Sequence, residues 1–311
     1  MKNILFIAIV LLGALSSCDK VENPYPSLPS LDLDFSLYPN GGQVEYVANE
    51  WPTFGANTNT NRNVLIEDYT GHRCVSCPAA AEIAHDEHSS NPERVFVVAI
   101  HTGPNGSGSL QAISPPLYLI DFTCPEGEEI GQTFGSDLAG SPFFGNPYGS
   151  VNRYDAGNGF PVSQPGDWSS ITTGLLAAND LKVNLQAETN YYPSTRGLFL
   201  HTETEILDGG LANELSIVVQ LLEDSLIAPQ VFPGGIDSLG YVHRDILRAS
   251  IDGRAFGQSL DADHLDANGK YYFNYSYKLP AEYEVDNAHL LIYIRDAVTD
   301  EIYQVIEKHI E

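Results

Sequence analysis

Methionine is almost missing from this chain: the only one among 311 residues is Met1. Basic side chains are scarce as well, 15 Lys and Arg against 41 Asp and Glu, which leaves a formal net charge of −26. A surface this acidic repels phosphate groups and argues against nucleic acid as a partner. Outside Ile4–Leu15, no stretch approaches the roughly 20 consecutive apolar residues that cross a bilayer as a helix. Internal repeats and low-complexity tracts do not stand out. Cysteine is rare, with four in the chain, so each one needs an account. What is present is a 43% apolar composition, enough for two domains with their own cores, and 17 Tyr, which beside a single Met suit an exported, β-rich protein.

The N-terminus reads as a targeting segment. Lys2 supplies a positive start, Ile4–Leu15 a short apolar core, and Leu15-Ser16-Ser17-Cys18 resembles the lipobox of bacterial lipoproteins. Residues 1–17 are then a signal peptide, Cys18 the lipidated N-terminal residue, and 18–30 a Pro-rich tether; lipid on Cys18 makes the membrane a partner. An ordinary signal peptide followed by a chance cysteine is the alternative. Either way export places the remaining thiols, Cys74, Cys77 and Cys124, in an oxidising compartment. Three is an odd number. Cys124 is therefore a free thiol, buried and inert in the plainest account, or it exchanges with the pair, or it pairs between molecules.

The stretch Val64–Ile100 organises the rest. An apolar run leads through Gly71 into Cys74-Val-Ser-Cys77, helix formers follow over Ala79–His88, Asn91-Pro92 breaks them, and a β-branched strand covers 94–100. Strand, CxxC, helix, strand is a redox pattern. Two intervening residues let the first turn of a helix bring both sulfurs together, and the helix start favours a thiolate on Cys74. Cys77 then resolves mixed disulfides. Asp68, six residues before Cys74 at the end of the strand, is placed to accept a proton from Cys77.

Val64–Cys77 resembles the first strand and active-site turn of thioredoxin-fold proteins, with Asp68 at the position of their buried acid. The longer string Glu67-Asp-Tyr-Thr-Gly-x-x-Cys-x-x-Cys-Pro78 more specifically resembles the outer membrane protein 28-related lipoproteins of gram-negative bacteria. That resemblance implies a thioredoxin-like domain coupled to a β-sandwich, and an outer-membrane location, although Asp19 after the lipidated cysteine is an inner-membrane retention signal in some bacteria. Arg73 stands where thioredoxins carry Trp, and Pro78 follows the second cysteine instead of lying between the pair. Thioredoxin-like proteins also place a cis-proline opposite the CxxC. Pro147, ahead of a strand at Ser150–Tyr154, fits that position, with Pro142 as competitor.

The expected fold is an α/β thioredoxin-like domain over 31–179, followed by an all-β immunoglobulin-like sandwich over 180–311. Residues 31–63, with a strand candidate at Gln43–Val47, are expected to lie against the redox domain. An insertion with a helix around Glu128–Phe134 covers about 102–140, and Asp167 caps a closing helix over Trp168–Ala178. Seven strand candidates then follow, at 182–188, 197–205, 215–222, 244–251, 271–277, 289–295 and 301–306, punctuated by Gly, Pro, Asn and Asp.

Other signals have bland readings. His72, His85, His88 and His101 lie in or beside the CxxC unit, and Glu82, His85 and His88 share a helical face. With Cys74 and Cys77 they offer two thiolates and an imidazole to copper, yet a solvated helix face explains them as well, and no metal or cofactor is assigned. Protonated His72 would lower the pKa of Cys74. Asp261–Gly269 has calcium-loop composition, but its spacing misses the EF-hand pattern. Three readings stay open. One is a lipid-anchored thiol–disulfide oxidoreductase acting on envelope proteins or peptides, using Cys74, Cys77, Asp68 and Pro147. The others are a binding or adhesion lipoprotein whose CxxC is a structural disulfide, and a copper-handling protein.

Overall fold

The computed structural model describes residues 33–310. The signal peptide, the lipidation site Cys18 and the tether lie outside the described residues. Among the described residues no helix is long and apolar enough to cross a membrane.

A single mixed sheet runs through most of the chain. Its order is β13 (Ile302–His309), β12 (Ala288–Asp296), β6 (Leu215–Glu223), β9 (Ile246–Ser250), β2 (Val95–His101), β1 (Val64–Thr70) and β3 (Tyr148–Val151), with the two-residue β10 (Gln258–Ser259) also on β6. β1 and β2 run parallel, β3 is antiparallel to β1, and Ala99 of β2 pairs with Ile246 of β9 to join the two halves. A second sheet orders β11 (Lys270–Lys278), β5 (Gly197–Ile206) and β4 (Val183–Tyr192), and β7 (Leu226–Phe232) with β8 (Ile236–His243) forms a separate hairpin. All seven strands expected after residue 180 are present.

Alternation along the strands sorts the side chains into three cores. Ile217, Val219 and Leu221 of β6 face the second sheet, where they meet Leu198, Leu200 and Phe273. On the same strand Val218 and Leu222 point the other way, into a core shared with Leu65 and Tyr69 of β1 and Tyr293 of β12. That core spans both halves of the chain. The remaining face of β1 carries Val64 and Ile66 beneath α2 (Cys77–Ser90) and α4 (Pro165–Ala178). Small residues let α2 come close, since Ala80 and Ala84 form its buried stripe, while α4 contributes Trp168, Ile171 and Leu175 at helical spacing. β1 is buried on both faces along its whole length, the habit of a central parallel strand.

Three expectations need correction. Gln43–Val47 is not a strand but opens α1 (Gln43–Asn49): the Glu45 carboxylate accepts the Gly42 N–H at 2.9 Å, completing an N-terminal cap. Val44 is exposed and only Tyr46 is buried, so the apparent two-residue period had no face to match. The segment also lies on the second sheet, not on the CxxC half, because Tyr46 stacks on Phe199 at 4.4 Å and its hydroxyl reaches His201 Nε2 at 2.8 Å. Finally, α4 starts two residues before Asp167, with Gln164 at the cap position and Pro165 in the first turn, whose fixed φ suits a helix start.

Sequence reading missed an ion pair at the centre of the shared core. Glu67 and Arg153 are both fully buried and joined twice, Nη2 to Oε1 at 2.6 Å and Nε to Oε2 at 2.9 Å. Ser150 donates to the same carboxylate at 2.7 Å, and the guanidinium lies 4.9 Å from the Phe134 ring centre. Phe134 ends α3 (Pro125–Phe134), the helix of the 102–140 insertion. Nearby, Gly149 permits the close passage of β3 over β1, since a Cβ there would sit 2.0 Å from the Glu67 carbonyl oxygen. Removing one partner strands a buried charge. Arg153→Met should therefore lower unfolding stability by about 3–5 kcal/mol, whereas Glu67→Leu with Arg153→Met should cost less than that single change, as read from urea unfolding.

Candidate functional site

The alternation of β1 turns two adjacent carboxylates to opposite faces. Glu67 enters the ion-paired core, while Asp68 points to the α2 side, where burial without a counter-charge pushes its pKa up to about 8. Its Oδ1 has no hydrogen-bond partner among the described residues. After β1 the chain turns at Gly71, and the Cys74 N–H donates to the Gly71 carbonyl at 2.9 Å. Cys74 and Cys77 form a disulfide with Cα atoms 5.4 Å apart. Cys77 is the first residue of α2 and Cys74 lies in the turn before it.

The disulfide is covered. Cys74 is 3% and Cys77 1% exposed. The cover is the β7–β8 hairpin, whose Val231 N–H donates to the His72 carbonyl at 3.0 Å and whose Gln230 Nε2 donates to the Cys74 carbonyl at 3.0 Å. A second strap comes from the insertion: Tyr118 stacks on His72 with ring centres 5.0 Å apart, and its hydroxyl donates to Asp237 of the hairpin. Arg73 donates to the Ser109 carbonyl at 3.1 Å and joins the same strap.

Between α2 and the hairpin lies a cavity of about 690 Å³. Asp68 and His101 form part of its floor, Cys77 part of one wall, and Phe232 and Tyr241 part of the roof. Cys74 and Pro147 are not among its walls. Pro147 follows a cis peptide bond at the start of β3, next to the Tyr69–Tyr148 pair of the β1–β3 ladder. Asn146 before it donates to the carbonyls of Tyr69 and Thr102, both at 2.7 Å, and Gln111 donates to Thr70 and Thr102. These two amides and the hairpin carry no motif; nothing in their local sequence marks them.

Burial disfavours the charged form of three imidazoles here, His72, His101 and His243. Burial lowers the pKa of His72, which bonds the Ala112 carbonyl at 3.1 Å, and so disfavours the protonated ring that would lower the pKa of Cys74. His101 is driven well below its ordinary value and His243, beside it, down to about 4, both chiefly by desolvation. His88 bonds the Val95 carbonyl at 2.7 Å. Among the described residues no group of three or more His, Cys, Asp or Glu is gathered as a metal centre, so the copper-handling reading has no assembled donor set. Cys124 is a free, buried thiol that caps α3 by accepting the Gly127 N–H, and burial pushes its pKa up to about 12. In the Asp261–Gly269 loop, Asp261 and Asp266 are occupied by the loop's own N–H groups.

The raised acid has a consequence for stability. Folded Asp68 keeps a proton that the unfolded chain releases, so its contribution falls as pH rises from about 4 to 8. The buried histidines act the other way, losing stability as pH drops below their ordinary value near 6.5. Asp68→Asn should therefore flatten the decline between pH 6.5 and 8 and be more stable than the native chain at pH 8, measured as urea midpoints across that range. An unchanged slope would mean that Asp68 is already ionised in the folded state.

No family model and no curated protein matches the chain. Solved structures do. HBP35 of Porphyromonas gingivalis aligns with a TM-score of 0.62 at 17% identity, over 82% of this chain and 77% of that one. A protein of Agrobacterium tumefaciens aligns at 0.45 and 14% identity, over 82% and 96%. A domain of the outer membrane lipoprotein Omp28 from Porphyromonas gingivalis aligns at 0.31 and 20% identity, over 42% and 90%. The first of these shows that the chain shares its sheet-rich α/β fold with HBP35.

Proposed function

We propose that the protein is an outer-membrane lipoprotein of the outer membrane protein 28-related kind, anchored through Cys18. Its thioredoxin-like unit over 31–179 would exchange disulfides with envelope proteins or peptides, and its immunoglobulin-like sandwich over 180–311 would serve binding or spacing. The observation that carries the redox reading is the placement of an uncompensated buried carboxyl, Asp68, on the same cavity as Cys77. A disulfide that merely staples a helix has no use for such a group, which costs stability at neutral pH. The strand order β2–β1–β3 with β3 antiparallel, and α2 and α4 together on one face, supports the thioredoxin-like assignment.

The chemistry follows from the residues. A substrate thiolate attacks Cys74 Sγ; the S–S bond breaks, and Cys77 leaves as a thiolate that takes the proton of Asp68. A second substrate thiolate then attacks the substrate sulfur of the mixed disulfide and releases Cys74 as a thiolate, which, like the Asp68 carboxylate, takes from solvent the protons that the substrate thiols gave up. Two substrate thiols become a disulfide and the CxxC pair ends as a dithiol. In reverse, Asp68 accepts the proton of Cys77.

One observation favours a second reading, in which the disulfide is structural and the protein binds without catalysis: both sulfurs are covered by β7–β8. Redox equilibration of the full chain against glutathione separates the two. A potential near or above about −200 mV is expected for exchange, and one below about −300 mV assigns the bridge a structural role. Gln230→Ala should in addition speed alkylation of Cys74 in the reduced protein, since it removes a tie between hairpin and turn.

A further inference from the structure

A second concavity, of about 310 Å³, lies where the ends of β12 and β13 meet the β8–β9 turn. Four carboxylates line it, Asp224, Asp245, Asp286 and Glu307, with no Lys or Arg among its walls. Their only ionic partners there among the described residues are imidazoles: His289 Nε2 lies 3.6 Å from Asp245 and 3.8 Å from Glu307, and His309 Nε2 lies 3.5 Å from Glu307. Arg244, whose charge reaches Asp245, borders the other cavity instead.

His289 is the informative residue. It is 5% exposed, yet its Nε2 has no hydrogen-bond partner, while the ring is held through the Asn287 backbone. Burial lowers its pKa despite the nearby Glu307, and in the neutral tautomer that donates to the Asn287 backbone its Nε2 offers a lone pair. Asp224 Oδ1 is likewise buried without a partner. Burial, with the charges of Asp224 and Glu307, pushes Asp245 up to about 7, the sign of a site with unbalanced negative charge. Every unmet group that can be named here is an acceptor.

We propose that this pocket recognises a primary alkylammonium group. Its acceptors come from three separate elements, the β8–β9 turn, β12 and β13, around one imidazole nitrogen, which matches the three divergent N–H bonds of an –NH3+ group. Water could satisfy each acceptor singly but would leave the like charges unbalanced. A divalent metal fits less well, because the donors are not gathered on one centre. This pocket shares Asp245 and Val97 with the cavity beside the disulfide, but no cysteine is among its walls and the proposal does not depend on disulfide chemistry.

The test is calorimetric titration of the full chain with n-butylammonium at pH 8, beside n-butanol as the neutral shape and Zn2+ as the metal arm. Saturable binding of n-butylammonium, with none of n-butanol, is expected. Asp245→Asn and, separately, Glu307→Gln should each weaken binding by about tenfold or more while leaving the circular dichroism spectrum unchanged. Failure of n-butylammonium to saturate, equal binding of n-butanol, or unaltered affinity in both folded variants would overturn the proposal. So would one-to-one binding of Zn2+ with the amine silent, which would make the pocket a metal site.

Discussion

The buried Glu67–Arg153 pair holds the two halves of the chain in register. Arg153 follows β3 with a left-handed backbone (φ 47°), as does Asn152 before it (φ 50°), a conformation that non-glycine residues keep only when their surroundings demand it. The demand comes from every side. Glu67 of β1 takes the guanidinium in two bonds, Tyr293 of β12 lies 3.2 Å from Nη2, and the ring centres of Phe134 and Phe256 lie 4.9 and 5.5 Å from it. A buried ion pair adds little to net stability, but it tolerates few arrangements, and here the arrangement joins β1, β3, β12 and α3.

The same strand shows how environment alone separates two like groups. Glu67 and Asp68 are neighbours, equally buried, and face opposite ways. Arg153 holds Glu67 below the usual carboxylate range, whereas Asp68, given nothing to pair with, holds its proton to about pH 8. On the proposed redox reading, an acid poised near neutrality on the same cavity as Cys77 is suited to proton transfer. Its neighbour is suited only to structure.

What was legible in the sequence had a local signature. The β1–CxxC–α2–β2 unit declared itself by period, turn residues and the Asn91-Pro92 break, and the strands after residue 180 by alternation. The hairpin escaped because Pro229, Pro233, Gly234, Gly235 and Gly240 read as loop; Pro229 sits where the β7–β8 pairing slips, which tolerates a missing N–H. α1 escaped because five residues cannot distinguish a period of 2 from one of 3.6. The Glu67–Arg153 pair spans 86 positions, and Gln111, Asn146 and Gln230 act through side-chain amides whose targets are distant backbone carbonyls. No window of sequence contains both ends of such a contact.

The hairpin's attachment bears on how a covered disulfide could still react. β7 and β8 pair with each other and with neither large sheet, so lifting them breaks no ladder of the core. Their ties to the CxxC turn are the Val231 N–H and the Gln230 amide, with the Tyr118–Asp237 bond at the far side. Each such bond contributes about 1 kcal/mol net. An element held this way opens at a fraction of the global unfolding free energy, at the low-stability end where mobile covers are found. On the proposed redox reading, exchange through Cys74 would proceed only from the open population, and affinity for a thiol substrate would be reduced by that fraction. Ile227, Ile236 and Leu239 of the same hairpin are exposed apolar side chains. Cover and access are on this view set by one two-stranded element, independently of the core that the buried ion pair maintains.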